Sequence, residues 1–221
     1  METHKMIDVS LNEAKEWYNS GNETLRKLAL KAFSKDELTY NFKNITTFKK
    51  ACEALGLNYD VISIVTKDIF TFSKSSAAMF KLNIVKKALN LKQDLHLTKD
   101  PEDSYIYYPY NPFVTKSSTY YKSDINSGKM EVIGKIKSNG VLYNVLGGLA
   151  DYVCNDGVGD FYSEQGVGTA TPNGALLGCA SKEIAQHFGK YFGMLITEAK
   201  FGDLDGFEII EDLLKVINNL N

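Results

Sequence analysis

The sequence predicts an α+β fold, in which a helical N-terminal part packs on a small antiparallel β-sheet with two C-terminal helices. Three observations carry that reading. Up to about residue 100, apolar residues recur at helical spacing behind successive helix caps. After Asp100, prolines at 101, 109 and 112 interrupt helices, and tyrosines cluster at 105, 107, 108, 110, 120 and 121. Beyond residue 180 the helical periodicity returns. The expected organisation is a helical region over 1–100 and a β-rich module with closing C-terminal helices over 101–221.

Ser10-Leu-Asn-Glu13 has the form of a capping box, in which the serine and glutamate side chains each serve the other's backbone amide. The helix it opens carries Ala14, Trp17 and Tyr18 and ends at Gly21. Asn22 starts a second helix, with Leu25, Leu28, Ala29, Ala32 and Phe33 on one stripe. Ser34-Lys-Asp-Glu37 is another capping box and opens a short third helix. Thr46 or Thr47 caps a fourth, containing Phe48, Ala51, Cys52 and Leu55 and ending at Gly56. Asn58 to Phe70 reads as a helix with Val61, Ile64, Val65 and Ile69 facing inward, although its β-branched content leaves a strand open. Ser73 to Leu91 is the strongest helix, and the width of its apolar face suits a central position.

In the second half, residues 104–108 and 130–136 read as strands, with a turn at Asn126-Ser-Gly128. Asn139-Gly140 joins the β-prone runs KMEVIGKIK and VLYNVL, the strongest hairpin signature in the chain. Residues 147–178 are rich in Gly, Asp, Asn, Ser and Tyr and contain no Lys or Arg, which suits short strands separated by glycine turns. Ser181 caps a helix that runs to about Lys200 and ends at Gly202. A last helix is expected from about Phe207 to Leu220.

Composition restricts the function classes. Of 221 residues 44% are hydrophobic and 24% charged, which is ordinary globular usage. No apolar run approaches the roughly 20 residues that span a bilayer, and the N-terminus lacks the apolar stretch of a secretory signal. The expectation is no membrane association and folding in a reducing cytoplasm. Cys52, Cys154 and Cys179 are odd in number and contain no CxxC, so neither a zinc site nor a disulfide framework is indicated. Residues 1–100 hold 16 Lys/Arg against 12 Asp/Glu, and residues 101–221 hold 9 against 15. Arg26 is the only arginine. Since arginine forks dominate base and phosphate recognition, no specific nucleic-acid partner is expected.

Catalytic chemistry finds no foothold in the motifs. His4, His96 and His187 have no partner at metal-ligand spacing. Neither the acidic stretch Asp151, Asn155, Asp156, Asp160 nor Asp203-Leu-Asp205-Gly206 matches a calcium loop. Gly157-Val-Gly159 and Gly166-Val-Gly168 do not open helices, so they are turns rather than phosphate loops. Cys179 precedes a helix start but has no evident base. The expectation is a protein that is not an enzyme, with no cofactor and no metal.

Two segments stand out as candidate surfaces. The first is 147–172, with Tyr152, Asp160 and Tyr162 offering adaptable contacts to a partner; a merely tolerant loop is the alternative. The second is the last predicted helix. There Ile210, Leu213, Ile217 and Leu220 recur at the spacing of an assembly seam. That seam would dock on the protein's own domain or on another subunit. The tyrosine clusters either pack strands against helices or form an aromatic recognition face.

Three stretches carry a resemblance: SLNEAKEWYNSGNETLRKLALKAF, KSSAAMFKLNIVKKALNL with the following YIYYPYNPF, and LGCASKEIAQHFGKYFGMLI. They resemble a protein family of gut Bacteroidales and of their crAss-like and related phages, a family without assigned activity or catalytic residues. Its members carry a helix of pattern F-K-S-x-E-x-A-x-x-x-G-x-x-F. Here Ser181, Glu183, Ala185, Gly189 and Phe192 match, while Cys179 stands where an aromatic is usual and Ala180 replaces a basic residue. The resemblance implies a phage or prophage origin. It points to a non-enzymatic phage protein, a virion structural or surface component such as a collar, tail or head-fibre subunit. Its partners would be other protein subunits, possibly copies of itself. The alternative is an accessory protein that binds a host protein or small molecule inside the infected cell. The expected location is thus the virion or the host cytoplasm.

Overall fold

The local caps form as their chemistry dictates. In the computed structural model, which describes residues 9–91, 105–119, 121–154 and 177–213, the Glu13 amide donates to Ser10 Oγ at 3.3 Å and the Ser10 amide donates to the Glu13 carboxylate at 2.9 Å. Ser34 and Glu37 repeat the arrangement at 3.3 and 2.8 Å. These caps open α1 (Leu11–Asn19) and α3 (Lys35–Thr39), and Asn22 caps α2 (Glu23–Ala32) by accepting the Thr24 and Leu25 amides. Gly21, at φ +75°, makes the reversal between α1 and α2. Residues 1–41 form one compact unit whose core is Ala14, Ala29 and Leu38, surrounded by Val9, Leu11, Trp17, Tyr18 and Phe33.

Residues 42–221 form the second unit. The change of composition at Asp100 therefore does not divide the compact units: α6 (Lys74–Leu89), before it, packs on α8 (Lys182–Phe201), after it. Asn90 and Asp203 fix this pairing at its two ends. The Asn90 side chain donates to the Gly178 carbonyl at 3.2 Å and accepts the Ala180 amide at 2.8 Å, just before α8 begins. At the other end Asp203 accepts from the Ser73 hydroxyl at 2.6 Å and from the Lys74 amide at 2.7 Å. A carboxylate at a helix N-terminus is favourable both for the free amides and for the macrodipole. The two helices thus run antiparallel.

The other face of α8 lies on strands. β1 (Tyr105–Tyr110) and β5 (Leu149–Cys154) form an antiparallel pair, and β2 (Phe113–Val114), β4 (Val141–Gly147), β3 (Glu131–Ser138) and β6 (Phe207–Asp212) form an antiparallel sheet in that order. Asn139 and Gly140, both at positive φ, close the expected β3–β4 hairpin. The chain passes between the two sheets at Asn111-Pro112 and again at Gly148, whose φ is +100°. The fold is α+β, with a helical N-terminal part and a C-terminal helix as expected.

Over 207–212 a strand takes the place of the expected second closing helix, and residues 214–221 lie outside the described residues. Residues 207–212 form β6, with Phe207 and Ile209 packed on the core and Glu208 and Ile210 exposed. Alternation with period two, together with pairing to β3 through Ile136↔Ile209 and Lys137↔Glu208, overrides the helical spacing. Of the expected assembly seam, Ile210 alone is moved from a helix to a strand. Ile210 sits on a strand, Leu213 is the last described residue, and Ile217 and Leu220 lie outside the described residues.

A buried amide secures the junction of the sheets with α8. Asn111 is fully buried, and its Nδ2 donates to the Leu146 carbonyl of β4 at 2.9 Å and to the Gly189 carbonyl of α8 at 2.8 Å. The helix comes this close because Ala185, Gly189, Gly193 and Thr197, at four-residue intervals, are all buried on its strand-facing side. The core beside them is Phe113, Ile133, Ile136, Val145 and Met194.

Asp203 gives a direct test of the α6–α8 arrangement. Its carboxyl is held below the ordinary carboxylate value, first by the Ser73 hydroxyl and then by the Ser75 and Lys74 amides. A depressed folded-state value means that the stabilisation is present above the unfolded value, about 3.8, and is lost as pH falls through the folded one. Asp203→Ala is expected to lower Tm by a few degrees at neutral pH, and by progressively less as the medium is acidified, in calorimetry from pH 7 to 2.

Candidate interaction surface

Among the described residues, Cys179, His187 and Asp203 each have structural partners. Cys52 and Cys179 are buried, and burial raises both thiols above their ordinary pKa. The Cys179 thiol donates to the Leu177 carbonyl, while its amide donates to Tyr107 O at 2.7 Å. His187 packs between the Phe42 and Tyr191 rings, with centroids at 5.4 and 4.5 Å, and its Nε2 lies 2.8 Å from the Ile45 carbonyl. A carbonyl only accepts, so Nε2 carries the proton there. The sulfur donates to one backbone carbonyl, and the imidazole is oriented by another. Asp203 is engaged as a helix cap. Among the described residues no group of three His, Cys, Asp or Glu side chains could hold a metal, and no helix is long and apolar enough to cross a membrane.

His187 carries a pH prediction. Burial lowers its pKa below the ordinary 6.5, with the Ile45 bond opposing and Lys190 and Lys43 reinforcing. The unfolded chain binds the proton more readily, so stability is full above pH 6.5 and falls as pH drops through the folded value. Urea midpoints are expected to decrease from pH 7 to pH 5, and His187→Gln is expected to flatten that dependence.

The sequence-predicted recognition residues are only partly placed. Tyr152 lies on β5, in register with Tyr107 of β1. Asp160 and Tyr162 lie outside the described residues, so the structure does not bring the three together.

A different surface appears on α5 (Tyr59–Ile69). One side of this helix is bound into its unit. The Tyr59 ring meets Phe48 at 6.0 Å, and just past the helix Phe70 meets Phe80 of α6 at 5.5 Å. Thr66 is 2% exposed and donates to the Ile62 carbonyl at 2.6 Å. Val61 and Ile64 lie on the side opposite Thr66, since three residues advance a helix by nearly one turn. They are 53% and 61% exposed. Leu57 before the helix is 36% exposed, and Ile69 and Phe72 at its far end are 65% and 100% exposed. The inward orientation expected for Val61, Ile64 and Ile69 is therefore reversed. Apolar residues occur on both sides of α5, and the side with Tyr59 takes the interior because Phe48 provides a partner for it, as Phe80 does for Phe70 just past the helix. What made this surface legible in principle was an apolar residue count too high for one face.

Leu57, Val61, Ile64, Ile69 and Phe72 thus leave apolar side chains exposed along this helix and at its ends. A separate cleft of about 250 Å³ is lined by Lys74, Glu198, Gly202, Phe207, Glu208 and Ile209. Comparison of the chain with protein-family models, curated proteins and solved structures gives no match.

Proposed function

We propose that this protein is a non-enzymatic component of a phage particle, a structural or surface subunit of the collar, tail or head-fibre kind, held in place by protein–protein contacts. The observation that carries the reading is the outward apolar side of α5, with Phe72 wholly exposed. An unassembled chain gains nothing from leaving such side chains in water, since each costs about 1.5–3 kcal/mol relative to burial. A chain that ends up in an assembly recovers that energy. The structural employment of Cys179, His187 and Asp203 supports a role without chemistry, and the resemblance of the SLNEAKEW, KSSAAMFKLNIV and LGCASKEIAQHFG stretches to a phage-linked family supports the setting. α5 exposes Asp60, Lys67 and Asp68, a mixed set that favours protein over nucleic acid or an anionic membrane.

The accessory reading, a binder of a host protein or small molecule in the infected cell, comes second. Its small-molecule form rests on the cleft beside Glu198 and Glu208. At about 250 Å³ that cleft is below the roughly 300–1,000 Å³ of usual ligand pockets. Mass spectrometry of gradient-purified particles tests the choice. The chain is expected at fixed stoichiometry to the major capsid protein. Its absence from particles, with abundance in the lysate, would favour the accessory reading.

A further inference from the structure

β6 ends the order β2–β4–β3–β6, so one of its edges pairs with β3 and the other pairs with no described strand. The Gly206 carbonyl accepts the Asn139 amide at 3.1 Å, which fixes the phase of the pairing. Hydrogen-bonded and non-hydrogen-bonded pairs alternate along an antiparallel ladder. Glu208, opposite Lys137, therefore turns its amide and carbonyl toward β3, while Phe207 and Ile209 turn theirs away. The Phe207 amide donates to the Leu204 carbonyl at 3.2 Å. The Phe207 carbonyl and the Ile209 amide and carbonyl have no partner among the described residues. Besides water, what satisfies such a row of unused donors and acceptors is another extended backbone.

The cleft of about 250 Å³ runs along this same edge. Successive side chains of a strand point to opposite faces, yet Phe207, Glu208 and Ile209 all line the cleft, and no residue of β3 does. Its other wall is Glu198 and Gly202 of α8 with Lys74 of α6. A strand added beside β6 would thus bring a side chain to the cleft, and charge selects which. Glu198 and Glu208 make no ion pair among the described residues. Residues 198–212 hold six Asp/Glu against one lysine. That excess opposes a second copy of β6, which would set acidic residues against acidic residues, and favours a basic segment.

We infer that the outer edge of β6 takes up an extended segment of another protein by strand addition, with a lysine or arginine of that segment entering the cleft at Glu198 and Glu208. The inference is independent of the α5 surface, and its failure leaves that reading as it stands. The probe is the capped heptapeptide TKTKTKT, titrated into the isotope-labelled full chain at low salt and followed by nuclear magnetic resonance. The Ile209 and Ile210 amide signals are expected to shift saturably. The fully N-methylated peptide keeps the charges but has no amide to donate, and TETETET keeps the amides but reverses the charge. Each is expected to bind at least about tenfold more weakly. The double variant Glu198→Gln, Glu208→Gln is isosteric, and a melting curve establishes that it folds. It is expected to weaken the lysine peptide by at least about threefold. No saturable shift up to about 5 mM peptide overturns the inference. So does equal binding of the N-methylated peptide, which would be charge attraction without strand addition, or equal binding of TETETET. Shifts confined to residues away from β6, or a double variant that binds as the wild type does, overturn it too. A free chain that is a dimer by light scattering and is dissociated by the peptide would put a second copy on this edge, and that also overturns it.

Discussion

Asn111→Ala is expected to lower the free energy of unfolding by about 3–5 kcal/mol, the largest effect of any single truncation considered for this protein. The side chain is fully buried and donates to two backbone carbonyls, Leu146 O on β4 and Gly189 O on α8. Its removal takes away two buried donors at once, leaves the carbonyls without water to replace them, and opens a cavity at the junction of both sheets with the helix. Each unsatisfied group costs about 1–3 kcal/mol. Against a total stability of about 5–15 kcal/mol for a domain, that brings the second unit close to its threshold. Asn111→Asp conserves shape and sharpens the test. A carboxylate has no donor for either carbonyl, so Asp is expected to be at least as damaging as Ala at pH 7, and less so in acid, where a proton returns. Urea denaturation followed by circular dichroism reads both, and a loss below about 1 kcal/mol for Asn111→Ala would remove the amide from its assigned place.

Gly193→Ala is expected to destabilise by about 2 kcal/mol, although alanine is the better helix former by about 1 kcal/mol. The sign is decided by what a Cβ would meet. It would overlap Ile133 Cδ1 and come 2.5 Å from Asn111 Nδ2. The isoleucine tip can swing aside, but the amide is fixed by its two bonds. The two positions should therefore couple. In the double variant the asparagine is gone and the added methyl has room, so the combined loss is expected to fall short of the sum of the single losses by about 1 kcal/mol or more. Strict additivity would show that the helix approaches the sheet for some other reason.

The parts of this fold that are local are the parts that can be read in the chain. Ser10 with Glu13, Ser34 with Glu37, and Asn139-Gly140 act within a few residues of themselves, and each does in space what its spacing indicates. Residues 207–212 are harder because Phe207, Ile209 and Ile210 satisfy a helical and an alternating pattern over so short a run. The choice is made by β3, some seventy residues earlier in the sequence, which offers an edge to pair with. α5 is legible as a helix and illegible in orientation, because Tyr59, Phe70, Val61 and Ile64 give it two apolar sides. Phe48 and Phe80 select between them. Asn111 and Gly193 carry no sequence signature, and Gly189 is marked only by the motif of the resemblance. Their importance arises from a contact 78 residues long in sequence, across which only an unbranched backbone and a planar amide fit. Of the candidate surfaces, Tyr152 is placed on β5 while Asp160 and Tyr162 lie outside the described residues, and Ile210 is placed on a strand rather than a helix.

The central claim is that the outward side of α5 is where the protein is held in its assembly. A photo-crosslinking residue placed at position 64 of the chain, in infected cells and in the particles purified from them, tests it most directly. The account predicts a discrete crosslinked protein product from position 64, with none from position 31, an exposed lysine site on α2 used as the control. Crosslinking at position 64 no greater than at position 31, in cells and particles alike, would contradict it.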